Sequence, residues 1–142
     1  MSIRSLKIRT RKFFSQHWLD NEIGIDPPVW SGLWDLKGPM PNHDKQGVYA
    51  FLKEGSVTYI GVGAGKGKAG YEGYGLGPRV NSQYMRLNQE RNGYYAIDQK
   101  LDGADGIVTI GFPEGFGYLA VALEQFLISR LDPIDNIVRA GS

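Results

Sequence analysis

The sequence predicts an α+β fold: a small sheet, made of one hairpin and one further strand, flanked by helices and preceded by a basic helical extension. Three observations carry that prediction. Residues 47 to 61 read GVYAFLKEGSVTYIG, two runs rich in β-branched and aromatic residues around Lys53-Glu54-Gly55, which is a hairpin pattern. Residues 107 to 112 repeat the β-branched pattern and stop at Pro113. Apolar residues recur at helical spacing after Pro78 and again over 117 to 131.

Composition narrows the chemistry. At 142 residues the chain is long enough for a core without disulfides or a structural metal. There is no cysteine, which excludes thiol catalysis and Cys-ligated zinc. His17 and His43 are the only histidines, so a multi-histidine metal site is excluded and a Ser-His-Asp arrangement is disfavoured. A divalent ion would rest on carboxylate and water, which favours magnesium or manganese over zinc. Net charge is +1, but residues 1 to 19 carry Arg4, Lys7, Arg9, Arg11 and Lys12 and no acidic residue. That segment reads as a phosphate-contacting arm, as a transit-peptide-like stretch, or simply as a solvated basic helix. No apolar run approaches the roughly 20 residues of a membrane span. Neither is there a signal-peptide core, and a cytoplasmic protein with no membrane partner is expected.

In chain order, residues 3 to 20 are expected to be helical, ending before Asp26-Pro27-Pro28. Residues 27 to 43, broken by prolines and glycines, read as an irregular strap whose Trp30 and Trp34 cover the core. The organisation expected is 1–46 as helix and strap packed on the core, and 47–142 as the main domain. Within the hairpin, register decides which face each tyrosine takes. A two-residue turn at Glu54-Gly55 would pair Ala50 with Tyr59 and set Tyr49 and Tyr59 on opposite faces. A three-residue turn at Lys53-Glu54-Gly55, ending on a glycine, would pair Tyr49 with Tyr59 on one face. The second is expected.

Residues 61 to 77 hold eight glycines in seventeen positions and read as a loop. Two phosphate-binding motifs are nearly spelled there. Gly61 is too close to Gly65-Lys66 for a Walker loop, and Gly65, Gly67 and Gly70 match G-x-G-x-x-G without the strand and helix that motif needs. Lys66 and Lys68 suit contact with a phosphate backbone. A helix then runs from Pro78 to about Arg91, with Val80, Tyr84 and Leu87 as its apolar stripe. Arg79, Gln83 and Arg86 share another face of it. On the helix over 117 to 131, Glu124 falls inside an arc of Leu119, Leu123, Phe126, Leu127, Ile128 and Leu131. An unpartnered carboxylate there would cost several kcal/mol. A cation partner is therefore expected, either Arg79, a lysine or a metal.

These residues carry a family resemblance. Gly47-Val48-Tyr49, nine residues, then Tyr59-Ile60-Gly61 resembles the signature of the GIY-YIG nucleases, with Val48 for the first isoleucine. Residues 78 to 84 (PRVNSQY) look like the helix that carries the family's arginine. Ala122-Leu123-Glu124, with Leu127, Ile128, Leu131, Pro133 and Asn136 after it, resembles the family's metal-binding glutamate helix. Four blocks in order span residues 47 to 136. The resemblance implies a small mixed sheet flanked by helices and a Mg2+- or Mn2+-dependent endonuclease acting on DNA, or on RNA. It implies that Tyr49 and Tyr59 line the site, with Tyr49 as the base that activates water. Arg79 would hold the phosphate, Glu124 the metal, and Asn136 would support the site. Lys66, Lys68, Gln83 and Arg86 would contact nucleic acid. Gln83 stands where many members carry histidine, so a nucleic-acid-binding module without turnover is the first alternative. A nucleotide-binding protein using the glycine loop is the second.

Overall fold

The computed structural model describes residues 1–64, 75–88 and 93–136. Helix α1 (Ile3–His17) is started by Ser2, whose Oγ accepts from the Ser5 N–H at 3.1 Å, and a short α2 (Asp20–Ile23) follows it. β1 (Gly47–Lys53) and β2 (Ser56–Gly63) form the hairpin. Then come α3 (Leu76–Tyr84), β3 (Met85–Asn88), β4 (Gly93–Ala96), β5 (Gly106–Gly111) and α4 (Gly117–Leu131).

The main sheet has the order β2-β1-β5 and both pairings are antiparallel. It is therefore not the mixed sheet that the resemblance implies. The reason is topological: β5 pairs directly with the central β1, in the sense opposite to it. A separate two-stranded ribbon, β3 with β4, replaces the last part of the helix expected to reach Arg91. That helix ends at Tyr84, because Met85–Asn88 finds a pairing partner in the aromatic run Gly93–Ala96. Leu87 and Arg86 thus lie on a strand, both exposed, and share no helical face with Arg79 and Gln83.

Period-two alternation splits the core across the sheet. Val48, Ala50, Leu52, Val57 and Ile60 face one side with α1 and α4, where Leu6, Phe13, Phe14, Trp18, Leu123 and Leu127 are buried. Burying one such side chain contributes about 1.5–3 kcal/mol. Tyr49, Phe51, Tyr59 and Ile107 face the other, under Leu76, Val80 and Tyr84 of α3. The strap reaches both layers, with Trp30 in the first and Trp34 in the second. It also closes the β5 edge, since Ser31 N–H donates to Thr109 C=O (2.7 Å) and Trp34 exchanges two backbone bonds with Ile107.

The hairpin turn is two residues, not three. Lys53 pairs with Ser56, and Glu54 (φ 51°) and Gly55 (φ 77°) are both left-handed, as a type I′ turn requires. By itself that turn would send Tyr49 and Tyr59 to opposite faces. A bulge at Thr58 reverses the outcome: Leu52 pairs with Val57 while Phe51 pairs with Tyr59. Val57 and Tyr59, two residues apart, consequently lie in different cores. The two tyrosines do share a face, but diagonally, with Tyr49 opposite Gly61.

Candidate active site on the tyrosine face

Three hydroxyls meet between the hairpin and α3. Tyr49 donates to the Tyr84 hydroxyl at 2.9 Å, and the Tyr84 and Tyr59 hydroxyls are 3.3 Å apart. The rings lie 5.8 to 6.3 Å apart between centroids, with Phe51 completing the cluster. Gly61 permits this arrangement, because the Tyr49 ring lies where a Cβ at position 61 would sit. Tyr84 joins as the last member of a buried i, i+4, i+8 stripe with Leu76 and Val80. Sequence reasoning treats Tyr84 only as apolar filling. The signal for more was its phenol, since a buried tyrosine hydroxyl usually finds a partner.

Electrostatics separate the roles. Burial above all, then the neighbouring Tyr84 and Tyr59, holds the Tyr49 phenol neutral far above the ordinary tyrosine range, against the opposing pull of the nearby Arg79 guanidinium. A phenol that keeps its proton is a donor and not a base, so this environment does not suit Tyr49 to activate water. Tyr49, Tyr59 and Tyr84 are 0, 2 and 1 % exposed. Arg79, by contrast, is exposed on α3 and links this buried cluster to solvent. Lys100, for which the sequence offers no motif, sets its Nζ 5.4 Å from the centroid of the Tyr59 ring. A cavity of about 510 Å³ opens at Lys100, lined also by Ile97, Asp98, Gln99 and Asp135.

The remaining candidates lie elsewhere. Glu124 belongs to α4, which packs on the opposite side of the sheet through Ala120, Leu123 and Leu127. Its carboxylate is half-buried rather than enclosed, and its Oε1 accepts from the Gln125 amide at 2.7 Å. The arc around it is less enclosed than its composition suggests, since Leu119, Phe126, Ile128 and Leu131 are only partly buried. Partial exposure lets water share the charge, so burial by itself does not oblige Glu124 to hold a cation. Asn136 is buried at the β2 edge, where its side chain accepts from Ile60 N–H (2.8 Å) and donates to Ile60 C=O (2.9 Å). It acts as a clamp on the hairpin backbone. Gln83 and Arg86 are exposed, and Lys66 and Lys68 lie outside the described residues.

Among the described residues, no group of three or more His, Asp or Glu side chains is placed to hold a metal ion. A magnesium ion carried by one carboxylate, water and substrate oxygens needs no such group, and a half-buried Glu124 fits that lesser requirement. Also among the described residues, no helix is long and apolar enough to cross a membrane. Comparisons with family models, with curated proteins and with solved structures return no match to this chain.

Proposed function

We propose that the chain is a phosphodiesterase of the GIY-YIG type, cutting DNA with the help of Mg2+ or Mn2+. One observation carries the reading: Tyr49 and Tyr59 share a face, and the exposed Arg79 guanidinium is close enough to the Tyr49 phenol to favour its charged form. In this reading Arg79 binds the scissile phosphate through its planar set of donors and stabilises the charge that develops on it. Tyr49 keeps its proton and, with Tyr84, orients Tyr59. Tyr59 is then the tyrosine left to accept a proton from water, with the Lys100 Nζ 5.4 Å from its ring centroid. A divalent ion, when bound, would neutralise the leaving oxygen; Glu124, its expected ligand, stands on α4 across the sheet from Arg79, so this reading requires substrate to bridge the two.

A second reading has its own observation. The three hydroxyls are sealed from solvent and hydrogen-bonded to one another, which suits a nucleic-acid-binding module that no longer turns over. Nicking of supercoiled plasmid separates the two. With magnesium or manganese, the wild type should nick, and Arg79→Ala and Glu124→Ala should each lose about a hundredfold or more, the order expected for removing a main electrostatic stabiliser. Retention of plasmid with no cleavage at any metal concentration would establish the second reading instead.

A further inference from the structure

The basic first helix is not used by the tyrosine face, and it borders a groove of its own. Between α1 and residues 27 to 30 of the strap lies an open groove of about 660 Å³. Its floor is Phe14, Trp18 and Trp30, and its strap wall is Pro27-Pro28 with the exposed Val29. Both indole N–H groups are already satisfied internally, Trp30 by the Thr10 hydroxyl at 2.8 Å and Trp18 by the Ile25 carbonyl at 3.0 Å. Thr10 in turn donates to Leu6 C=O. The floor rings are only 6, 5 and 9 % exposed, so the open carbon surface of the groove is Val29 with the half-buried Pro27 and Pro28, and no indole donor is offered. Charge stands only at the rim. Lys7 and Arg11, both exposed and one turn apart, stand on the α1 side, and Arg4 continues their stripe by three residues. Asp20 sits at the far end of the groove, where an anion is repelled.

Open apolar surface over a nearly covered aromatic floor, beside a row of cations, matches one ligand chemistry: flat rings joined by an anionic backbone. A duplex hides its ring faces by stacking, whereas a single strand displays them. From Lys7 to Trp18 the helix rises about 16 Å, the length of a few stacked nucleotides at about 3.4 Å each. We propose that this groove binds single-stranded nucleic acid, with bases against Val29 and the two prolines and phosphates on Lys7 and Arg11. The site lies on the α1–α4 side of the sheet, away from Tyr49 and Arg79, and stands or falls independently of the nuclease reading.

Anisotropy of a labelled oligothymidylate tests it. Binding at low salt should be saturable, should quench tryptophan fluorescence and should resist competition by duplex of equal length. The double variant Lys7→Glu/Arg11→Glu alters exposed side chains only, and circular dichroism checks that it stays folded. It should bind at least about tenfold more weakly, and its log–log salt slope should be shallower by about 1.4, at about 0.7 per phosphate contact. Val29→Asp, which leaves the cations in place, should weaken binding and reduce the quench. Lys12→Glu, at an exposed cation of the same helix outside the groove lining, should bind as the wild type does, so a general loss of charge and loss of this site are read separately. The proposal is overturned if the wild type does not bind, if the double variant binds unchanged, or if duplex or polyglutamate competes as well as the single strand.

Discussion

Replacing Asn136 with alanine removes one side-chain amide and strands two backbone groups. Ile60 pairs across β1 with Ala50, yet its N–H and C=O point outward, to the open side of the edge strand, where Asn136 satisfies both at 2.8 and 2.9 Å. Each buried group left without a partner costs about 1–3 kcal/mol. Water reaches an edge more easily than a centre, which places the total at about 2–4 kcal/mol. That is a large part of the roughly 5–15 kcal/mol that holds a domain together. Urea unfolding should show it as a lower midpoint with an unchanged slope. Asn136→Asp sharpens the test. A protonated carboxyl can accept from Ile60 N–H and donate to its C=O, whereas a carboxylate sets an oxygen against the carbonyl oxygen. The aspartic acid's folded pKa is thus raised above its unfolded value of about 3.9. Its stabilising contribution is complete below that value and is lost as pH rises through the folded pKa. Relative to the wild type at each pH, the aspartate variant should match it near pH 3 and fall to the alanine variant by pH 7. A loss under about 1 kcal/mol for alanine, or a flat difference for aspartate, would refute the clamp.

Two further outcomes follow from the tyrosine face. Because the Tyr49 phenol is held neutral when folded, the unfolded chain loses that proton first as pH passes about 10. Stability should fall from there upward, and urea melts between pH 8 and 11 should show Tyr49→Phe removing part of that slope; an unaltered slope would exclude Tyr49 as its source. Gly61→Ala forces a methyl into the Tyr49 ring and should cost about 1–3 kcal/mol as overpacking. A variant melting with the wild type would show that the ring moves freely.

Much of the fold was legible because it depends on local pattern. The hairpin, the strand over 107 to 112 and the helix over 117 to 131 all stand where apolar period and breakers put them. What the pattern could not supply was the partner. Thr58 is an unremarkable strand residue, and only the pairing of both its neighbours with β1 makes it a bulge. Met85–Asn88 continues the helical spacing well enough until Gly93–Ala96 competes for it. Glu124 shows the same limit. A helical wheel counts apolar neighbours along one helix, but how deeply a carboxylate sinks depends on what packs over it. Lys100 reaches Tyr59 from a distant loop, a juxtaposition made by the fold and not by spacing.

β2 is tied, at Val57 and at Ile60, to opposite ends of the described chain. Val57 N–H donates to the Met1 carbonyl at 2.7 Å, and Ile60 is held by Asn136. On the ribosome, therefore, the hairpin is made early but remains incomplete. Its centre lacks β5 until residue 111 is synthesised, and its outer edge is unprotected until residue 136 follows. Such long-range closure makes folding slow relative to local helix formation. From the synthesis of residue 63 to that of residue 136 the hairpin keeps an unpaired edge, exposed to premature pairing with other nascent chains.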